Sequence, residues 1–193
     1  MKKANKRKYT FIIIALLIII AIVAVVLYLK NKKQQALGAL QQTLFLRPTN
    51  ITIGNTKVNV MFSRYFQPYV DFKTGLHHAL KNKTGVYIIL NPKTKKIEYV
   101  GNSASDIYKT MYRHFQSWAD PQQYRATFPK NGYLVRVILI DKPEHIYEIE
   151  KYYIRKHQPK ANEDKYNDYN LEIINVNKIE ENDWIKQIDT TPF

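Results

Sequence analysis

The chain has 193 residues, no cysteine and a formal net charge of +14, from 30 Lys and Arg side chains against 16 Asp and Glu. This length allows one globular domain with attached segments. The lack of cysteine excludes a disulfide framework, a disulfide-linked partner, a thiol nucleophile and a cysteine-based zinc site. Hydrophobic residues make up 45% of the chain and aromatic residues 13%, which indicates a folded core.

The positive charge is unevenly distributed along the chain. Residues 1–33 contain eight basic and no acidic side chains, and residues 163–193 contain three basic against eight acidic ones. The block between them, 34–162, therefore has a net charge of +11. Such a block is compatible with a polyanionic partner and equally with an ordinary solvated surface. The last 31 residues are interpreted as an acidic C-terminal tail.

The first strong pattern is an uncharged apolar run of 19 residues, Phe11 to Leu29, preceded by a basic segment over 1–10. As a helix, this run would extend about 28 Å, close to the hydrocarbon thickness of a bilayer. A cleaved signal peptide is the alternative, but its apolar core is usually only about 7–15 residues long. The pattern predicts an uncleaved transmembrane helix at 11–29 that contacts the lipid bilayer of a single-pass membrane protein. More basic side chains before the run than after it weakly favour an internal N-terminus and an external C-terminal domain.

The next two segments predict a connection to a folded unit. Residues 30–50 are interpreted as a juxtamembrane linker, and residues 51–84 as a lead-in. Apolar and polar residues alternate over 51–60 on both sides of a Gly-Asn pair, a pattern typical of a β-hairpin. A short helix is predicted near 76–80.

From Gly85 onward the pattern predicts a compact α+β unit. Strands are expected at 85–90, 97–101 and 133–140, and helices at 106–118 and from Pro143 to about His157. The first of these helices has an apolar stripe at helical spacing, formed by Ile107, Met111, Phe115 and Trp118. The order β-β-α-β-α suits a small antiparallel sheet of three strands flanked by helices.

Residues on two of the predicted helices are candidates for a catalytic or binding role. Glu150 borders an apolar stripe, so its carboxylate must be paired, hydrogen-bonded or bound to a metal. A structural salt bridge is the common role of such a residue, and a single carboxylate ligand for Mg²⁺ is the alternative. Arg113 and His114 lie near the end of the other helix, where a guanidinium is either solvated or placed to hold a phosphate.

Gly85-Val86-Tyr87, Tyr99-Val100-Gly101 and a segment from Glu150 to Asn162 follow one another on these predicted elements. With these motifs, residues 85–162 resemble the GIY-YIG nuclease family, which has its GIY triplet at the first position and YIG at the second. The segment from Glu150 to Asn162 is similar to the closing motif, in which a metal-binding Glu is followed by a helix, a Pro and an Asn. Each triplet alone is a weak signal, but their order on consecutive predicted elements is specific.

The resemblance implies a three-stranded antiparallel sheet and cleavage of a DNA phosphodiester with Mg²⁺ or another divalent cation. It implies that Tyr87 and Tyr99 line the site and hold or deprotonate the attacking water, and that Glu150 binds the metal. His114 matches a position that is His in some homing-type members.

The remaining expected contacts also follow from the resemblance. Gly101 matches the YIG glycine, where the backbone is expected to turn sharply before the helix, and Asn162 matches an Asn that is mainly structural. We expect Gly101, Lys109, Arg125 and Asn162 to contribute to substrate binding.

One departure from the family pattern concerns its catalytic arginine. The alignment places Thr110 at that position. Arg113, one helical turn on, and Arg125 in the following loop are the candidate substitutes. The sequence therefore predicts a membrane-anchored, metal-dependent DNA endonuclease. A membrane-tethered DNA-binding module with impaired catalysis is the first alternative, and a membrane scaffold is the second.

Overall fold

The computed structural model describes residues 2–46, 48–68, 76–116, 126–129, 131–168 and 173–174. The chain forms two compact units, Met1–Ala39 and Leu40–Phe193. Most of the predicted acidic tail lies outside the described residues. Arg125 also lies outside them.

The first unit, Met1–Ala39, consists of residues of one helix, α1, whose bounds are Lys2–Leu44.

Within the part of the chain that the structure describes, no helix combines enough length with enough apolar character to cross a membrane. The prediction of a transmembrane helix at 11–29 in a single-pass membrane protein is contradicted by this finding. The helix α1 extends to Leu44 and covers most of the segment 30–50 that was interpreted as a juxtamembrane linker.

The second unit contains all the strands and the remaining helices. The strands are β1 (Thr49–Ile53), β2 (Thr56–Phe62), β3 (Gly85–Asn91), β4 (Lys96–Ser103), β5 (Leu134–Ile140) and β6 (Ile173–Ile174). The helices are α2 (Leu76–Leu80), α3 (Ile107–Tyr112) and α4 (Ile146–His157). Short 3₁₀ turns cover Arg113–Phe115, Pro143–His145 and Lys160–Asp168.

Six strands form one sheet in the described residues, in the order β4-β3-β5-β2-β1-β6, and every strand pair is antiparallel. The predicted α+β class and antiparallel sheet are confirmed, but the predicted count of three strands is wrong. The three expected strands are β3, β4 and β5. The lead-in hairpin supplies β1 and β2, with Gly54 at its turn in the left-handed region (φ +56°).

The hairpin joins the sheet because it cannot bury its own apolar face. Val58, Val60 and Phe62 of β2 are at most 1% exposed. Val60 pairs with Ile140, and Phe62 pairs with Ile138, so β2 covers the edge of β5 that three strands alone would leave open. Burial of such side chains stabilises the fold by about 1.5–3 kcal/mol each.

A buried arginine connects the lead-in to β5. The Nε of Arg136 donates to the Ser63 carbonyl at 3.1 Å, and its guanidinium lies 5.1 Å from the ring centre of Phe62. The Ser63 hydroxyl accepts from the Val137 amide at 2.8 Å. These contacts make the segment after the hairpin an integral part of the core.

The sheet separates two apolar layers, because successive side chains of a strand point to opposite faces. One layer packs α4 against the sheet and contains Val86, Ile88, Val100, Ile149 and Ile154. The other packs α3 against the sheet and contains Tyr87, Ile89, Ile107, Met111 and Val137. The edge strand β4 therefore presents alternate side chains to α3 and to α4.

Both helices have clear local boundaries. Asp106 caps α3, since its side chain accepts from the Lys109 amide at 3.0 Å. The helix ends in a 3₁₀ turn at Phe115, and the predicted end near Trp118 lies outside the described residues. Gln158, in the left-handed region at φ +42°, ends α4 just before Pro159.

Candidate active site

The two motif triplets meet across one strand pair. Tyr87 of β3 lies directly opposite Gly101 of β4 and is 1% exposed. A Cβ atom at Gly101 would collide with the Tyr87 hydroxyl and with the Tyr99 ring. Glycine is therefore required at this position by the Tyr87 ring that lies across it.

The expectation of a sharp backbone turn at Gly101 is wrong. The strand β4 continues past this glycine to Ser103, and Gly101 is not among the residues with positive φ. The physical reason for the glycine is close approach of a side chain rather than backbone curvature.

A buried hydrogen bond joins Tyr87 to His114. The Tyr87 hydroxyl and the His114 Nε2 are 2.8 Å apart, and the His114 Nδ1 lies 2.6 Å from the Ala126 carbonyl oxygen. Because a carbonyl can only accept, Nδ1 must donate to it. In the neutral ring, Nε2 then has no proton and accepts the phenolic proton of Tyr87.

Further rings surround this pair. The Tyr99 ring centre is 4.5 Å from that of His114 and 6.1 Å from that of Tyr87, and Phe128 lies 6.3 Å from Tyr99. Tyr99 is only partly buried. We call Tyr87, Tyr99, His114 and Phe128 the aromatic side of β4.

Glu150 lies on the opposite side of the same strand. It is 5% exposed, and its Oε2 accepts a hydrogen bond from the Asn102 side-chain amide at 2.7 Å. Asn102 directly follows Gly101 along β4, so its side chain points away from the aromatic side and toward α4. We call Asn102 and Glu150 the carboxylate side of β4.

Asn162 closes the free edge of β4. Its side-chain oxygen accepts from the Val100 amide at 2.8 Å, and its side-chain nitrogen donates to the Val100 carbonyl at 2.9 Å. The residue is fully buried. Its amide thus takes the place of a neighbouring strand, which favours the structural role over the expected contact with substrate.

The cationic candidates lie along α3 and the turn that follows it. Thr110, at the position of the family arginine, is partly buried and donates its hydroxyl to Ser103 Oγ at 3.1 Å. Arg113 is partly buried and directly precedes His114, while Lys109 is exposed. Arg125, the other candidate, lies outside the described residues.

The donor set restricts the kind of metal that fits. Among the described residues, no group of three or more His, Asp or Glu side chains is placed to hold an ion. Mg²⁺ commonly uses one or two carboxylates and keeps several waters, so the single carboxylate of Glu150 fits such an ion and does not fit a closed structural site.

Three contributors to the site were missed by the sequence reasoning. The Ala126 carbonyl and the Phe128 ring come from a loop with no recognisable motif. Asn102 had a usable signal: it follows the YIG glycine, and strand alternation places it on the face that α4 covers.

The comparison with known families finds a match over the segment that contains these residues. Residues 83–167 match the model of the GIY-YIG catalytic domain. No curated protein and no solved structure matches the chain. The predicted resemblance over 85–162 is confirmed to this extent, and a GIY-YIG catalytic domain implies nuclease action on the phosphodiester bonds of DNA.

Proposed function

We propose that this protein is a divalent-metal-dependent DNA endonuclease whose site straddles the edge strand β4. The observation that carries the proposal is the buried Tyr87–His114 hydrogen bond beside Gly101, with Glu150 held on the other side of the same strand. Tyr87 and His114 transfer protons, and Glu150 supplies the negatively charged oxygen that binds a cation.

The hydrogen-bond directions around Tyr87 give it the role of a relay. Because its phenolic proton is directed at His114 Nε2, its oxygen has lone pairs left to accept a proton from water. A phenol with a pKa near 10 is a poor base alone. As Tyr87 takes a proton from the attacking water, it passes its own proton to His114, so no free phenolate is needed.

His114 is held in the tautomer that this relay requires. The Ala126 carbonyl accepts from Nδ1 and thereby keeps Nε2 available. After proton transfer the ring is an imidazolium with both N–H groups already bonded, one to the carbonyl and one to Tyr87. Tyr99 packs against this ring and restricts the position of the water.

Glu150 would hold the metal ion. The ion that Glu150 would hold would supply positive charge to neutralise the phosphate and stabilise the leaving oxygen. The attack by hydroxide forms a new P–O bond and breaks the bond to the 3′ oxygen, which takes up a proton from solvent. Arg113 is proposed to hold the non-bridging phosphate oxygens in place of the family arginine.

The net charge of +11 over residues 34–162 would attract DNA through salt-sensitive phosphate contacts. The sequence contains no recognisable module that reads bases, so we propose weak sequence preference.

The experiment that tests this function is nicking of a supercoiled plasmid by the full chain, with Mg²⁺ or with EDTA. We expect metal-dependent nicking that Glu150→Gln abolishes. The matched control is Glu144→Gln, an exposed acid in the turn before α4, which should leave the rate unchanged. Nicking that persists in EDTA or in Glu150→Gln would contradict the proposal.

Thr110 at the position of the family arginine favours a second candidate, a DNA-binding domain with impaired catalysis. The discriminating variant is Arg113→Ala, with the exposed Arg64→Ala as control. Loss of one group that stabilises developing charge typically costs about 10²–10³-fold in rate. Salt-sensitive DNA binding without any metal-dependent cutting would support the second candidate.

A further inference from the structure

The carboxylate of Glu150 is held by a residue that has no assigned role in the site. Glu150 is 5% exposed on a helix whose neighbouring side chains, Ile149 and Tyr153, are fully buried. A carboxylate in such surroundings needs hydrogen-bond partners. Asn102 supplies one of them, through a 2.7 Å bond from its side-chain nitrogen to Oε2.

We propose that Asn102 is a positioning residue that sets the orientation of the Glu150 carboxylate for the metal ion. This inference rests on the proposed function. The terminal torsion of a glutamate side chain has broad, weakly defined minima, so packing alone does not fix the plane of its carboxylate. A donor on Oε2 restricts that torsion and leaves the oxygens in one orientation relative to α4.

The donor itself is rigidly placed. Asn102 pairs with Val86 in the β3–β4 ladder, one residue before the end of strand pairing at Ser103. Val86 is fully buried under α4. Because the backbone of Asn102 is fixed by the sheet, its amide presents the same geometry in each molecule, as a support for a metal ligand requires.

The same position links the two sides of the site. Gly101, the preceding residue, lies under the Tyr87 hydroxyl, while Asn102 contacts Glu150. The spacing between the proton relay and the carboxylate is therefore determined by two adjacent residues of one strand. A displaced Asn102 would move the carboxylate of Glu150 relative to Tyr87, although Tyr87 itself would be unchanged.

The test measures binding of Mn²⁺ to the full-length protein by calorimetry and the Mg²⁺ concentration that gives half-maximal nicking. The main variant is Asn102→Leu, which has similar volume and no donor. Loss of a residue that orients a metal ligand typically weakens metal affinity about 10–100-fold. We expect a shift of that size in both measurements, with DNA binding in EDTA unchanged.

Two further variants separate positioning from folding. Asn102→Ser keeps a polar side chain that is too short to reach Oε2, and should show the same loss of metal affinity. Asn102→Gln, which retains the amide, should recover part of it. Asn59→Leu, on an exposed position of β2, is the matched control and should bind Mn²⁺ normally.

Unchanged metal affinity in a folded Asn102→Leu or Asn102→Ser protein would overturn the proposal, while the nuclease function would stand. An equal loss of metal affinity in Asn102→Gln and in the Asn59→Leu control would also overturn the proposal, because the effect would then not depend on the Asn102 amide. If the unmodified chain neither binds Mn²⁺ nor nicks DNA, both the proposed function and this inference fail.

Discussion

The two sides of β4 are built from different chemistry. On the aromatic side, Tyr87 and His114 are buried and connected by a hydrogen bond of 2.8 Å. On the carboxylate side, the acidic side chain of Glu150 lies beside a layer of mostly aliphatic residues and accepts a hydrogen bond from Asn102. Each side packs under its own helix, yet one edge strand separates them.

This difference explains how a small site can contain both a proton-transfer pair and a charged carboxylate. A buried imidazole beside a carboxylate would form an ion pair, and its Nε2 would no longer be reserved for a phenol. The strand keeps the two groups on opposite faces, so each has the environment its role requires. Substitutions on the aromatic side should therefore affect the proton relay, and those at Glu150 and Asn102 should affect metal binding.

The largest expected effect is on the aromatic side. Tyr87→Phe removes the hydroxyl of the proposed relay and should slow nicking about 10²–10⁴-fold. The free energy of unfolding should fall by only about 1 kcal/mol, since one hydrogen bond is lost. Nicking rates and urea denaturation measure the two quantities. The control is Tyr147→Phe, an exposed tyrosine of α4, and a rate similar to that control would contradict the relay.

The next effect concerns the free edge of β4. Asn162→Ala leaves the Val100 amide and carbonyl without their partner, and each unsatisfied buried group costs about 1–3 kcal/mol. We expect urea denaturation to show a loss of about 2–4 kcal/mol, while the exposed neighbour Glu163→Ala changes little. A full-stability Asn162→Ala protein with impaired DNA binding would instead indicate a substrate contact.

A smaller loss is expected where the aromatic side meets the strand. Gly101→Ala places a methyl group against the Tyr87 hydroxyl and the Tyr99 ring, and overpacking of this kind costs about 1–3 kcal/mol. It should also move the hydroxyl from His114 and reduce nicking. Gly38→Ala, with no atom within 4 Å of the added Cβ, is the control. Unchanged stability and nicking in Gly101→Ala would show that the strand tolerates a side chain there.

The pH dependence of stability tests the layer under α4. Burial lowers the pKa of His157 from 6.5 to about 4, and the charge of Lys156 contributes in the same direction. The unfolded chain takes up a proton below pH 6.5 while the folded chain resists it until about pH 4. This contribution to stability is therefore complete above pH 6.5 and is lost as the pH falls toward 4.

Between pH 7 and pH 5, His157 should account for a loss of up to about 2 kcal/mol in the free energy of unfolding. Denaturation of His157→Gln at both pH values isolates this part, because the variant should lose correspondingly less. An equal decrease in both proteins would assign the acid sensitivity to other groups.

Local patterns in the sequence were sufficient for most elements of the nuclease-like segment. Alternation and helical periodicity predicted β3, β4, β5 and α4 close to their observed bounds, and they predicted the start of α3 but not its end at Tyr112. These patterns are readable because each is produced by neighbouring residues that share one face. The apolar run at 11–29 shows the limit of such reasoning, since the described part of α1 did not support the span that its composition predicted.

The sequence by itself determined that Tyr87, Gly101, Glu150 and Asn162 stand at motif positions on a small α+β unit. Only the tertiary structure decided that the hairpin extends the sheet, that Gly101 leaves room for the Tyr87 ring, and that Asn102 donates a hydrogen bond to Glu150. These contacts join residues that are distant in the chain, such as Asn102 and Glu150, 48 positions apart. Their partners are chosen by strand pairing and layer packing, which no single stretch of sequence encodes.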